Sequence, residues 1–457
     1  MIKPLAVMLS LLWALPVLAD AKAHEYFLEN GMKVIVKPDN RAPVAVSQVW
    51  YKVGASYETD GITGISHALE HMMFKGTKKH GPGEFSKIIS ALGGSENAFT
   101  SRDYTAYYET LAVRHLDKAL ELEADRMQNL LLDADEFEKE IEVVKEERRL
   151  RTEDKPIGQV YEQFNAVSWR SSPYRIPVIG WMNDLEHMTV DDLSAWYKRW
   201  YAPNNATLVV VGDVEPNHVV QLAKKHFGPI SPVKVEAVKP PLEPKQRGLT
   251  RVEIEFPARQ PFVIMGYKTP IVGTAEYSWE PYALYVLASV LDGGDSARLA
   301  SKLVREQGIA ASAGAEYGTY SRLSGQFLFS GTPTDAHTTQ EVEKALRKQV
   351  EELQEELVKP EELQRVVRQL VASKVYEADS MFYQAMQIGV LETVGLDWRL
   401  LEQELEQIKA VTAEQVRAVA RKYLIDENLT IATLKPLSMD SKNLDKLGAV
   451  GGGYRAH

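Results

Sequence analysis

Two histidines and a glutamate in the pentapeptide HALEH, residues 67–71, have the types and the spacing of a catalytic metal centre. On a helix, His67 and His71 lie on one face, where both imidazoles can reach one metal ion. Glu70 points to the same side, where its carboxylate can accept a proton from a water molecule. The order H-x-x-E-H inverts the commoner zinc motif H-E-x-x-H. A surface helix can carry these residues by chance. Other features of the chain therefore have to distinguish a metal centre from a chance occurrence of the motif.

A third metal ligand has to come from another part of the chain, because a catalytic zinc ion normally has three protein ligands. The chain contains no cysteine, which leaves histidine and carboxylate donors. The predicted helix at 135–151 is rich in glutamate. Glu140 and Glu147 lie on one stripe of this helix, about 10 Å apart along its axis, so only one of them can touch the metal. Spacing alone leaves five candidates: Glu138, Glu140, Glu142, Glu146 and Glu147.

The composition and the net charge limit the class of protein and the partners to be expected. With 457 residues, of which 45% are hydrophobic and 25% charged, the chain is typical of a globular protein with two or more domains. The formal net charge of -10 argues against nucleic acid as a partner.

The first 19 residues have the pattern of a secretory signal peptide. Lys3 precedes a mainly apolar run at 5–18, and Ala19 supplies a small residue at the expected cleavage point. No later segment offers about 18 uninterrupted apolar residues, so no stable membrane span is expected. An exported chain without cysteine is best placed in a bacterial periplasm.

Periodicity predicts the elements that position HALEH. Strands are expected within 25–57, at 97–110 and at 207–211, and helices around HALEH and at 83–92, 116–132, 135–151 and 190–200. A proline-rich segment at 229–248 has the composition of an extended linker. Beyond it the order of elements repeats: strands at 251–267 and 313–332, helices at 279–291, 297–306, 338–357, 361–378 and 412–422, and a strand at 429–434.

These elements predict an α+β fold of two related domains, each a mainly antiparallel sheet packed with helices. The expected limits are 20–228 for the first domain, 229–248 for the linker, 249–440 for the second domain and 441–457 for a tail. The second half has no H-x-x-E-H motif. Only the first half is therefore equipped for metal chemistry.

Four motifs in order give the chain a resemblance to a known family. They are HALEHMMFKGT at 67–77, Gly93-Gly94 leading to NAFT at 97–100, EIEVVKEERR at 140–149, and YAPNN at 201–205 leading to VGD at 211–213. Together they resemble the pitrilysin and mitochondrial processing peptidase family, in its half-length, two-domain bacterial form. The resemblance covers nearly the whole chain after the signal segment.

The resemblance implies a role for each residue of the centre. His67, His71 and Glu147 would bind one zinc ion, and Glu70 would be the general base. Glu140 matches a nearby acidic residue of the family that orients a ligand or balances charge.

Two further features follow from the same resemblance. Glu146 is the second choice for the third ligand. Asn97, Ala98 and Phe99 match the family's cleft strand, to which an extended peptide adds through main-chain hydrogen bonds. For Asn97, a purely structural role in a turn or at a strand edge is the alternative.

One departure from the family concerns the second half. Active members carry a segment like R-G-L-A-Y there, whose Arg and Tyr bind substrate and stabilise the oxyanion. This chain has Gln307 and Ala311 at those two positions. Losing such a donor typically costs about 10²- to 10³-fold in turnover. Four nearby residues have the right chemistry but not the right spacing: Arg298, Arg305, Tyr317 and Tyr320.

The resemblance implies a zinc metalloendopeptidase subunit that acts on peptides or unfolded polypeptides. It also implies a heterodimer, in which a related chain without the zinc motif supplies the missing Arg and Tyr; a homodimer is less expected. The alternative is a non-catalytic subunit, like the core proteins of respiratory complexes, or a peptide-binding one. A non-catalytic subunit would have no reason to retain HALEH together with Glu147.

Overall fold

The computed structural model describes residues 22–438 except 237 and 240. The predicted signal segment 1–19 and tail 441–457 lie outside the described residues. Two mixed, mainly antiparallel sheets packed with helices form the structure, which confirms the α+β class. Among the described residues, no helix has both the length and the apolar composition that crossing a membrane requires.

The strands fall into two sheets. The first contains β1 (His24–Phe27), β2 (Lys33–Pro38), β3 (Val44–Tyr51), β4 (Ser95–Thr100), β5 (Thr105–Ala112) and β6 (Ala206–Gly212). The second contains β7 (Thr250–Pro257), β8 (Phe262–Thr269), β9 (Ala310–Tyr317), β10 (Gly325–Pro333) and β11 (Leu429–Leu437).

The helices also divide between the two halves. The first half contains α1 (Ile65–Met72), α2 (Glu84–Ala91), α3 (Leu116–Asn129), α4 (Ala134–Arg148), α5 (Pro156–Ser168), α6 (Met182–His187), α7 (Val190–Trp200) and α8 (Pro216–His226). The second contains α9 (Glu280–Asp292), α10 (Thr339–Glu355), α11 (Pro360–Glu377), α12 (Met381–Thr393), α13 (Leu400–Lys409) and α14 (Ala413–Tyr423). Two π-helical segments are Arg149–Glu153 and Leu299–Glu306.

Apart from the additional edge strand β1 in the first sheet, the two sheets have the same topology. The first has the order β1-β2-β6-β3-β5-β4, and the second has the order β7-β11-β8-β10-β9. In both sheets the strand that closes the half pairs in parallel with the first strand of the repeat and antiparallel with the second. The repeat predicted from element order is therefore present in the topology. The counterpart of α1 is α9, which contains no histidine.

Each half places one helix on the sheet of the other half. Helix α12 packs on β3 and β6 of the first sheet, where Ile388 joins a core that includes Trp50. Helix α5 packs on β7, β8 and β11 of the second sheet, where Phe164 joins a core that includes Ile264. Two hydrophobic cores contain residues from both halves, so the two domains pack tightly against each other. The domain limits given above stay a prediction.

An aromatic ring lies on a glycine in both of these helix–sheet contacts. A Cβ atom on Gly389 of α12 would lie 2.0 Å from the indole of Trp50. A Cβ atom on Gly266 of β8 would lie 2.5 Å from the ring of Phe164. Any larger residue would push the helix off the sheet, so glycine is required at both positions.

The proline-rich segment is anchored at its second half. The carboxylate of Glu243 accepts hydrogen bonds from the backbone N–H groups of residues 170–172 and from Lys268 Nζ at 2.7 Å. Gln246 donates to the carbonyl of Leu429 at 2.7 Å. The composition predicts an extended linker here, but these contacts bind its final residues to both halves.

Candidate metal centre

The loop before α1 fixes the start of the helix that carries HALEH. Gly64 precedes the helix with φ at +85°, and a Cβ atom there would lie 2.5 Å from the carbonyl oxygen of Ile179. The buried carboxylate of Glu58 accepts hydrogen bonds from the backbone N–H groups of Gly64 at 2.7 Å and Ser66 at 2.9 Å. These contacts satisfy donors at the helix N-terminus and hold the helix in place.

Three side chains from α1 and α4 converge on one point. Glu147 Oε2 lies 3.7 Å from His67 Nε2 and 3.3 Å from His71 Nε2, and one donor atom from each residue fits within 4.8 Å of the others. Donor atoms about 2.0–2.2 Å from a tetrahedral zinc ion lie roughly 3.4 Å from one another. Two imidazoles and one carboxylate also match the ligand types of catalytic zinc. The residues therefore fit a zinc ion in both chemistry and spacing.

The two histidines have different protonation tendencies. Burial and the neighbouring His71 lower the pKa of His67 to about 4, so His67 is neutral and ready to donate an electron pair. Burial alone would lower the pKa of His71, but hydrogen bonds with Glu140 and Glu147 prevail and raise it to about 9. Metal binding must therefore displace a proton from His71.

Acidic and basic groups surround the ligands on α1 and α4. His71 Nδ1 is 2.9 Å from Glu140 Oε1, and the other oxygen of Glu140 forms an ion pair with Lys75. Glu147 Oε1 is 2.9 Å from the guanidinium of Arg151. A carboxylate on the second nitrogen of a ligating histidine fixes the ring orientation and tautomer. Glu140 therefore has the position of an orienting residue.

The other glutamates of α4 point away from this centre. Glu146 forms an ion pair with Arg149, and its side chain is 58% exposed. Glu142 pairs with Lys145 and is 63% exposed. Glu138 is also exposed. Of the five candidates, only Glu147 shares the point where His67 and His71 meet.

Glu70 lies beside the centre without joining the three converging donor atoms. Its carboxylate accepts a hydrogen bond from Thr100 Oγ1 at 2.5 Å. Burial raises the pKa of Glu70 above its usual value, although the bond from Thr100 opposes this rise. A carboxylate with a raised pKa is better matched to proton transfer near neutral pH. No role for Thr100 follows from the sequence alone, because this contact joins residues that are 30 positions apart.

Asn97, Ala98 and Phe99 lie on β4, which is the last strand of its sheet and pairs with β5 alone among the described strands. The ring of Phe99 packs against Trp50 with 5.4 Å between ring centroids, so it faces α12. Ala98 packs toward the core beneath α1. Asn97 Oδ1 accepts from the backbone N–H of Ala98 at 2.9 Å. The edge can therefore offer a peptide its main chain, while the Phe99 side chain belongs to the core.

The second half does not bring its candidate Arg and Tyr residues into a substitute site. Gln307 and Ala311 are exposed. Three of the four nearby candidates have internal partners: Arg298 pairs with Glu362, Tyr317 donates to the carbonyl of Pro270, and Tyr320 donates to Glu404. Arg305 is exposed. None of the four forms a hydrogen bond or ion pair with His67, His71 or Glu147.

Both halves match known protein families. Residues 33–180 match the family described as "Insulinase (Peptidase family M16)", and residues 187–370 match "Peptidase M16 inactive domain". The match to an inactive domain begins near the end of the first half, continues into the second, and contains no H-x-x-E-H motif.

Several relatives match nearly the whole chain. The chain is 35% identical to "Zinc protease PqqE" of Helicobacter pylori over 91% of this chain and 93% of that protein. It is 26% identical to "Uncharacterized zinc protease YmxG" of Bacillus subtilis over 90% and 98% of the two chains. A crystal structure of a protease from Helicobacter pylori superimposes with a TM-score of 0.86 at 32% identity, covering 91% of this chain and all of that one.

A crystal structure of a peptidase M16 inactive domain from Pseudomonas fluorescens shares the fold. Its TM-score is 0.81 at 18% identity, and the alignment covers 92% of this chain and 99% of that one. Family matches over both halves, together with relatives of this identity and coverage, show that the chain belongs to peptidase family M16, the insulinase and pitrilysin-like family, in its half-length, two-domain form.

Proposed function

We propose that this protein is the zinc-bearing subunit of a metalloendopeptidase. The observation that carries the proposal is the convergence of His67 Nε2, His71 Nε2 and Glu147 Oε2, with the carboxylate of Glu70 beside them. The relatives named zinc proteases support the same reaction.

In the proposed mechanism, His67, His71 and Glu147 would hold one zinc ion. When bound, this ion supplies a Lewis acid that polarises the scissile carbonyl and acidifies a water molecule. Glu70 takes the proton of the attacking water and later returns it to the leaving amine. Glu140 holds the ring of His71 through Nδ1, which keeps Nε2 directed at Glu147, where the metal would bind.

The proposed substrate is a peptide or an unfolded polypeptide in an extended conformation. The free edge of β4 supports this choice, because an extended chain can add to an unpaired edge through main-chain hydrogen bonds. Residues 97–99 would make these bonds. The Asn97 side chain now accepts from the N–H of Ala98, so a peptide that adds here has to displace it.

We further propose that a related chain without the zinc motif completes the site. Gln307 and Ala311 occupy the positions where the family resemblance expects Arg and Tyr, and both are exposed. The missing donors would therefore have to come from another chain. The proposed domain limits remain 20–228 and 249–440, with the linker at 229–248. The proposed location is the periplasm, on the basis of the segment at 1–19.

Removal of the metal tests the proposal. We expect a chelator to lower hydrolysis of an unfolded polypeptide by about 100-fold or more, because the Lewis acid would be lost. Added zinc should restore the activity. Magnesium is the matched control and should not restore it, because it prefers all-oxygen ligands. The assay is run on this chain alone and with a related chain, and activity that survives complete removal of zinc would refute the proposal.

The alternative of a peptide-binding subunit without catalysis predicts no hydrolysis in this assay, with or without zinc. Such a protein would bind extended peptides at β4 whether or not zinc is present. The ligand cluster and the adjacent Glu70 favour catalysis over this alternative, because binding at a strand edge needs neither.

A further inference from the structure

The side chain of Thr100 connects the edge strand β4 to the carboxylate of Glu70. Thr100 is the last residue of β4, and its Oγ1 lies 2.5 Å from Glu70 Oε2. Among the described residues, no other group donates a hydrogen bond to the Glu70 carboxylate. A largely buried carboxylate with a single donor depends strongly on that donor for its orientation.

The residue behind Thr100 offers a second, more distant acceptor to the same hydroxyl hydrogen. Thr105 is the β5 partner of Thr100, and its hydroxyl donates to the carbonyl of Val53 at 3.0 Å. That bond uses the only hydroxyl hydrogen of Thr105, so its oxygen can only accept from Thr100, at 3.4 Å. Glu70 is the nearer acceptor and the one that can carry a charge. The hydroxyl hydrogen of Thr100 is therefore directed to Glu70.

The position of Thr100 in the strand gives this contact its functional meaning. Alternate residues of a strand face the same side, so Thr100 shares a face with Ala98, on the side of α1. The main chain of the same strand is the proposed attachment edge for the substrate. One short segment would thus hold both the peptide and the group that takes the proton.

We propose that Thr100 is a positioning residue for the hydrolysis, whose hydroxyl holds the Glu70 carboxylate in register with a peptide bound along β4. This inference rests on the proposed peptidase function, in which Glu70 is the general base. It assigns to the edge strand a second task in addition to substrate binding.

Two substitutions at position 100 separate the hydroxyl from the shape of the side chain. Thr100→Val removes the hydroxyl and retains the branched shape, whereas Thr100→Ser retains the hydroxyl. We expect Thr100→Val to lower kcat about 10- to 100-fold with KM within about 3-fold, because a misplaced catalytic group slows the chemical step. Thr100→Ser should stay within about 3-fold of the wild type in both constants, and both variants should bind as much zinc as the wild type.

A matched control is Thr110→Val, the same change at the other end of the β4–β5 pairing, opposite Ser95. This variant should behave as the wild type. The inference is overturned if Thr100→Val leaves kcat unchanged, if it raises KM alone, or if Thr100→Ser fails to restore the rate.

A double-mutant cycle measures the contact without any assay of activity. The thermal midpoints of zinc-free Thr100→Val, Glu70→Ala and the double variant are compared with that of the wild type. Because each single change breaks the same hydrogen bond, we expect the combined shift in Tm to differ from the sum of the single shifts. Additive shifts would overturn the inference. A wild type that binds zinc but hydrolyses nothing, alone or with a partner, would instead refute the proposed function, and the cycle would still report on the contact.

Discussion

Glu70→Gln is expected to retain zinc and to lower kcat by about 10²- to 10⁴-fold, which is the usual contribution of general acid–base catalysis. The amide keeps the size of the side chain and can still accept the hydrogen bond from Thr100. It cannot take a proton from water. Zinc should stay because the donor atoms that converge belong to His67, His71 and Glu147. The measurements are kcat on an unfolded polypeptide and zinc content per chain.

The matched control is Glu142→Gln, which removes the same charge from the exposed face of α4. Glu142 pairs with Lys145 and its side chain is 63% exposed, so this variant should keep both zinc and activity. If Glu70→Gln cleaved as fast as the wild type, Glu70 would not be the base. If it lost zinc as well as activity, the loss of cleavage would no longer identify a role in proton transfer.

Addition of the missing partner is expected to raise kcat/KM by about 10²- to 10³-fold, which is the usual effect of one oxyanion donor. The partner to test is a related chain that lacks H-x-x-E-H and carries Arg and Tyr at the positions matching Gln307 and Ala311. The activity of each chain alone and of the mixture is measured, together with the mass of the complex in solution.

Two variants of the partner serve as controls for this experiment. Replacing its Arg with Ala, or its Tyr with Phe, should leave the complex assembled and remove most of the gain in rate. Full activity of this chain alone, unchanged by the partner, would show that Gln307 and Ala311 cost nothing and that no partner is needed.

The local features of the site could be predicted from the sequence because they depend on near neighbours in the chain. The helix that holds His67 and His71 follows from their spacing, and the strand character of 97–100 follows from its residue types. The choice of Glu147 over Glu146 depends on the face that α4 presents to α1. Spacing alone left that choice open, and only the resemblance to a known family favoured Glu147.

The exchange of α5 and α12 between the halves could not be predicted in this way. Helix α12 has the sequence MFYQAMQIGVLET, which is apolar on most sides because it lies between the first sheet and other elements. Such a helix lacks the polar face that makes a 3.6-residue period visible. Helix α8 is different, because the sequence does contain a signal for its start. Glu215 is its N-cap residue and Pro216 is its first residue.

The contact between Thr100 and Glu70 could not be predicted from the sequence for a different reason. Threonine in a strand is ordinary, and nothing in its neighbours indicates that it binds a carboxylate on a helix. The contact exists because α1 lies against the edge strand. Such pairings become visible only when the packing of helix on sheet is known.

The most direct test of the metal centre is anomalous X-ray diffraction at the zinc absorption edge, on crystals of the protein grown with zinc. We predict one strong peak about 2.0–2.2 Å from His67 Nε2, His71 Nε2 and a carboxylate oxygen of Glu147. The absence of a peak at these three residues, or a zinc ion held by other side chains, would contradict the account.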